Sequence, residues 1–320
     1  MYIYNIMNII DSHYIILIVS FLILFLMYKY MYNNPQVKNL DKYLLDVVKD
    51  QKDIVLSCKP KIWIHLDREI NSREWESFNS KNSKKLNQPY LYLTIETILN
   101  HCSETFDIYL ITDDSFSEII DDWKIDMSKL SYPIKDKIRM KGLMQILHQY
   151  GGMVLPPNFI CKENLIEMYK KYIEDGIFVS ELPIFKNNTI EYCASNKIMG
   201  SKKHNNVLKK YILWFENVIS NDYTSESIFK DEDREWLTKN VENKNIKMIP
   251  GKNIGVIDND DKNISLERLM STELISFHNK SYGIYIPRVE LLNRKHYNWF
   301  VQLHEEEVLH CKNNISYLLQ

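Results

Sequence analysis

The chain has 320 residues, ample for a sizeable buried core, and 45% of them are hydrophobic against 26% charged, which excludes wholesale disorder. With 40 Lys and Arg against 42 Asp and Glu, the formal net charge is -2, without the cationic excess of a nucleic-acid-binding chain, and no nucleic-acid partner is expected. Eight glycines exclude collagen-like and Gly-rich-linker readings and argue against a Gly-loop dinucleotide site. The five cysteines, Cys58, Cys102, Cys161, Cys193 and Cys311, are widely spaced without a C-x-x-C pair, which predicts free thiols rather than a disulfide framework or a zinc site.

Residues 14–32 (YIILIVSFLILFLMYKYMY) carry Lys29 as their one charge and would span about 28 Å as a helix. Residues 1–13 lack the Lys and Arg of a signal-peptide n-region. The expectation is therefore an N-terminal tail (1–13) and a single-pass transmembrane helix (14–32) with the lipid bilayer as partner. Lys29, Lys38 and Lys42 follow the span, so the positive-inside rule predicts the C-terminal bulk on the cytoplasmic side. Residues 33–54 read as a polar link and an amphipathic helix, and 55–320 as one continuous domain.

Within that domain, 61–66 reads as a strand, 89–102 as a helix and 106–112 as a second strand ended by Asp113-Asp114-Ser115, a helix-capping cluster. Residues 134–150 repeat apolar side chains at helical spacing, and Gly151-Gly152 stops the helix before a short strand at 153–155. The β-α-β-α-β order predicts an α/β fold with a largely parallel sheet. Further on, helices are expected at 164–172, 204–219, 231–240, 265–270 and 288–303. Strands are expected at 176–180, 190–199, 246–249 and 254–257.

Asp136, Arg139, Tyr150, Gly151 and Gly152 stand in the order D-x-x-R, ten residues, Y-G-G and a hydrophobic strand. This order resembles the central motif of glycosyltransferases of family 32 and the related capsular polysaccharide synthesis proteins. The opening KPKIWIHLD, with Trp63 and His65, the stretch 194–219, and His278-Asn279-Lys280-Ser281-Tyr282 resemble further elements of that family. The resemblance implies a GT-A-like nucleotide-sugar transferase domain with a mainly parallel central sheet, its donor lying over the C-terminal ends of the first strands. It implies Trp63, His65, Asp136, Arg139, Gly151, Gly152, Asn158 and His278 as donor-binding candidates, and Mn2+ or Mg2+ held by an Asp-x-Asp after the Y-G-G strand.

At that last position this chain has Pro156-Pro157-Asn158. Proline offers no side-chain oxygen and Asn158 offers a neutral one, whereas a hard divalent cation depends on carboxylates. Two functions follow as expectations. One is a membrane-anchored glycosyltransferase in which Arg139, Lys141 and His278 offset the phosphate charge. The other is a catalytically degenerate fold kept as a membrane-anchored structural or binding module, for which a viral source fits the Asn-, Ile-, Lys- and Tyr-rich composition.

Each candidate also has a plainer reading. Asp136 and Arg139, three apart, suit a surface ion pair. Trp63 suits core packing, and Asp258-Asn259-Asp260-Asp261 a solvated turn rather than a calcium loop.

Overall fold

The computed structural model describes residues 57–67, 88–186, 189–221 and 226–320, together with Ser20, Leu22 and Ile54. The chain forms two compact units, Met1–Lys42 and Tyr43–Gln320. In the first, only Ser20 and Leu22 are described, both in helical conformation.

Among the described residues no helix is long and apolar enough to cross a membrane. The expected transmembrane helix at 14–32 is corrected accordingly, and with it the bilayer partner, the membrane localisation and the cytoplasmic placement. Apart from Ser20 and Leu22 that span lies outside the described residues, as does the 33–54 segment apart from Ile54.

The second unit is built on a six-stranded sheet in the order β2-β1-β3-β6-β5-β7. Its strands are β1 (Lys61–His65), β2 (Asp107–Ile111), β3 (Gly152–Val154), β5 (Ile177–Lys186), β6 (Thr189–Ser201) and β7 (Lys247–Ile249). β1 pairs in parallel with both β2 and β3, and β5 with β7, while β6 runs antiparallel to β3 and β5. The sheet is therefore mixed, with β6 as its one reversed strand. β1 is buried through four of its five residues, Lys61 and the apolar run Ile62, Trp63 and Ile64, rather than alternating between buried and exposed. A second sheet pairs β4 (Phe159–Cys161) with β8 (Gly283–Tyr285) antiparallel.

The helices α1 (Tyr90–Cys102) and α2 (Ser115–Ile119) flank β2 in the chain. α3 (Ile134–Tyr150) buries Ile138, Leu143, Ile146, Leu147 and Tyr150 in the main core, with Trp63, Tyr109 and Phe116. It ends as its glycines require: Gly151 takes φ 71° as the C-cap and its N–H closes onto the Leu147 carbonyl. α4 (Ile166–Ile173), α5 (Asn206–Ser220) and α6 (Glu226–Glu242) follow. Asn205 caps α5, its side chain accepting from the Val207 and Leu208 N–H groups. The short helices α7 (Leu266–Leu269), α8 (Arg288–Asn293), α9 (Glu305–His310) and α10 (Asn314–Leu319) complete the chain.

Two expected elements differ. The helix predicted at 288–303 breaks after α8, where Arg294 turns extended and its guanidinium pairs with Glu267 and Glu290, before a 3-10 turn at Asn298–Gln302. The strand predicted at 254–257 is a 3-10 turn (Gly251–Ile254) closed by Gly255 at φ 67°, because this segment has its partners in β8 and the Ile257–Asn263 bridge rather than in the main sheet. All five cysteines are free, with the Cys102 and Cys161 sulfurs 3.9 Å apart.

Candidate functional site

Ligands of open α/β sheets collect at the C-terminal ends of parallel strands. Here that edge is formed by His65 and Asp67 after β1, Asp113 after β2 and the 155–158 segment after β3, where the Leu155 N–H bonds the Trp63 carbonyl. The first turns of α3 bring Lys135, Asp136 and Arg139 to it.

Asp113 is the hub. Arg139 grips it in a bidentate fork, Nε to Oδ1 at 2.7 Å and Nη2 to Oδ2 at 2.6 Å. His65 Nε2 lies 2.9 Å from the same Oδ1, and since an ionised carboxylate can only accept, the imidazole donates. The ring is stacked on Phe116, which fixes its plane. Lys135, 3% exposed, places Nζ 3.5 Å from Asp113 Oδ2. Around the other face of the guanidinium, Nη1 donates to the Tyr132 hydroxyl at 2.8 Å and to Asp136 at 3.4 Å. Asp67 completes the shell, 3.4 Å from Nη1 and accepting from Tyr132 at 3.1 Å.

The electrostatics follow. Burial works to raise the Asp113 carboxyl, but the hydrogen bonds from Arg139 and His65 outweigh it and hold it well below the usual carboxylate range. Burial likewise opposes the charge on Arg139, and the Asp113 bond and the Asp67 charge more than restore it. Burial pushes the Tyr132 phenol up to about 12 against the pull of Arg139, so it stays a neutral donor at pH 7.

The eight sequence candidates do not all meet. His65, Asp136 and Arg139 converge on Asp113. Gly151 and Gly152 sit at the opposite edge of the sheet, at the far end of α3, about 18 Å along its axis from Arg139. A Cβ on Gly152 would lie 2.4 Å from the carbonyl of Lys61, the first residue of β1. Trp63 is fully buried between Tyr109 and Tyr150, and its indole N–H braces the Gly151 carbonyl at 2.9 Å.

Asn158, 4% exposed, turns its amide to the Ile286 carbonyl beside β8. The Pro157 carbonyl accepts from the Thr94 hydroxyl at 2.5 Å. His278 holds its own turn, its Nδ1 accepting from the Lys280 N–H. Lys141 pairs with Glu216 on α5 at 3.0 Å. Asp258 is 2% exposed and ties the turn together through the Asp260 and Lys262 N–H groups and Arg268, while Asn259, Asp260 and Asp261 are exposed, so the loop is a solvated turn with one buried, ion-paired residue.

Sequence reasoning missed Asp67, Asp113, Tyr132 and Lys135. It took Asp113-Asp114 for a helix cap, yet Asp114 at the N-cap of α2 makes no side-chain cap bond. The usable signal was positional: Asp67 and Asp113 each follow a predicted parallel strand.

No family model matches the chain, and no curated protein matches it either. The solved structures it resembles include glycosyltransferases. The glycosyltransferase GlyE of Streptococcus pneumoniae TIGR4 is 12% identical over 82% of this chain and 62% of that one, with a TM-score of 0.39. Its apo form is matched over 46% of its length, under half of that chain. The galactosyltransferase LgtC, in complex with donor and acceptor sugar analogs, is 10% identical over 81% of this chain and 95% of that one, with a TM-score of 0.38. The 4-diphosphocytidyl-2C-methyl-D-erythritol synthase of Anaerococcus prevotii DSM 20548 is 12% identical with a TM-score of 0.29, over 64% of this chain and 91% of that one. No residue role passes from proteins this distant, and none of these matches singles out family 32.

Proposed function

We propose that this chain is a nucleotide-sugar-transferase-type α/β domain that works as a non-catalytic binding or structural module rather than as a metal-dependent transferase. One observation carries the reading: the arginine of D-x-x-R is committed to protein partners. Arg139 is held by Asp113, Tyr132, Asp136 and Asp67, so a diphosphate arriving at this edge would have to displace a buried bidentate carboxylate. It would also face three carboxylates, Asp67, Asp113 and Asp136, where a donor site needs net positive charge.

The residues at the expected metal position do not fit a divalent cation. Pro156 and Pro157 have no donor atoms, and the Asn158 amide is turned away to Ile286. Among the described residues no group of three or more His, Cys, Asp or Glu side chains is arranged to hold a metal. With no carboxylate and no inward-facing amide at that position, these residues give transfer by the metal-assisted route no support.

Thermal-shift titration of the full chain with UDP- and GDP-sugars, with and without Mn2+, tests this. The expected outcome is no shift that depends on Mn2+ or that Asp136→Asn removes. A donor-specific, Mn2+-dependent shift that the exposed-site variant Asp136→Asn abolishes, accompanied by sugar release, would overturn the reading.

A further inference from the structure

At the opposite edge of the sheet lies a cleft of about 420 Å3 whose lining, among the described residues, contains Lys59, Lys61, Lys170, Lys202 and Lys203 and not one Asp or Glu. This volume is that of a small-molecule site. Gly151 and Gly152 form part of its wall. A Cβ on Gly151 would come within 3.2 Å of the Lys203 side chain, so glycine lets that chain lie over the backbone. Tyr169 from α4 closes another side, its hydroxyl bonded to the Gly152 backbone.

Surface lysines gather near helix C-termini for ordinary reasons, so the question is whether local negative charge accounts for these. Lys170 pairs with Glu167 at 3.0 Å, and Lys61 stands opposite Asp107 across the β1–β2 ladder. Lys202 donates to the Glu174 main-chain carbonyl. Among the described residues Lys59, Lys202 and Lys203 have no carboxylate partner. The C-terminus of α3 supplies about half a unit of negative charge, too little to balance three ammoniums.

Lys61 is the second observation. Its side chain is 3% exposed, yet among the described residues its ammonium has a single acceptor, the Ser57 carbonyl, at a long 3.5 Å. A buried ammonium with one long hydrogen bond is under-satisfied, which a folded chain ordinarily avoids, and Lys61 is part of the cleft lining. Burial draws this ammonium below its ordinary value, Asp107 opposing and Lys203 adding to the fall. A bound anion would give the Lys61 ammonium a closer acceptor than the Ser57 carbonyl and offset the mutual repulsion of Lys61 and Lys203.

We infer that this cleft is a binding site for a small phosphorylated ligand carrying at least two negative charges, held by Lys61 at the base and by Lys59, Lys202 and Lys203 around the mouth. Ammonium groups suit phosphate as rotatable point charges with several donors each. The site lies at the N-terminal ends of β1 and β3, away from the Asp113 cluster, and does not depend on the function proposed above.

Inorganic pyrophosphate titrated calorimetrically into the full chain, at ionic strength matched with KCl, is the test. Saturable one-to-one binding is expected, weakened at least tenfold in the Lys59→Gln/Lys203→Gln double variant, whose exposed positions leave the fold intact. Lys129→Gln/Lys262→Gln, which removes the same charge elsewhere, and Asp136→Asn should bind as the parent does. Pyrophosphate should also slow alkylation by iodoacetamide of Cys58, the exposed thiol in the cleft lining. Absence of binding, equal binding by the Lys59/Lys203 double variant, or equal weakening in the Lys129/Lys262 control would overturn the inference.

Discussion

Asp113 organises its edge of the molecule because four neighbours, Arg139, His65, Lys135 and Tyr132, depend on it directly or through Arg139. Removing the charge takes the bidentate partner from the Arg139 guanidinium, 7% exposed, and leaves it to Asp67, Asp136 and Tyr132 beside Lys135. Asp113→Asn should therefore cost roughly 2 kcal/mol of stability at pH 7, read by urea unfolding. The pH dependence has a definite sign. Asp113 is held below its unfolded value of about 3.9, so its contribution is complete above that pH and drains away as pH falls further. Between pH 4 and pH 2 the parent should lose stability more steeply than the Asn variant, and equal slopes would refute the assignment. Little of this cluster was legible in the sequence. His65 and Arg139 were visible as residues, but their common partner lies 48 positions from one and 26 from the other, a pairing that only the sheet register makes.

At the scale of elements, α3 is the segment that sequence read best. Its apolar spacing and the glycine stop coincide with Ile134–Tyr150 as observed. The D-x-x-R and Y-G-G pieces read as one pocket, however, and they stand at the two ends of this helix. Proximity in sequence misled because a helix converts ten residues into about 15 Å of separation.

The glycines are demanded by packing rather than by a shared pocket. Gly152, at φ 98° with the Lys61 carbonyl 2.4 Å from any Cβ, has no room for a side chain. Gly152→Ala should destabilise by roughly 2–3 kcal/mol, with Gly151→Ala milder because its nearest contacts, the Lys203 stem and backbone nitrogen, are no closer than 3.2 Å. Denaturation midpoints would rank the two, and the reverse order would contradict this account.

Across the whole molecule, the reversed strand β6 and the β4–β8 pair were the parts least available to sequence. β4 and β8 are three residues each and more than a hundred positions apart, so neither carries enough periodicity to announce the pairing. The C-terminal helices are likewise integrated by single residues. Asn314 opens a sequon, yet it is 2% exposed and its amide donates to the Arg268, Ser271 and Glu273 carbonyls while its oxygen accepts from the Ile275 N–H. Asn314→Ala would leave several of these groups unpaired at a cost of about 3 kcal/mol. The loss should appear as a lower melting temperature of the whole second unit, and loss confined to local fraying of 305–320 would argue against that integration.

The two-ended anchorage of α3 restricts what can be inherited at this locus. Adding or deleting one residue between Arg139 and Gly151 would rotate one end against the other by about 100°. Either the guanidinium would leave Asp113 or the glycine pair would leave the Lys61 backbone. Loops elsewhere in the chain can drift in length over generations, whereas this stretch tolerates substitution but no change of register. A deep-mutational insertion scan should show it as a sharply bounded window of intolerance.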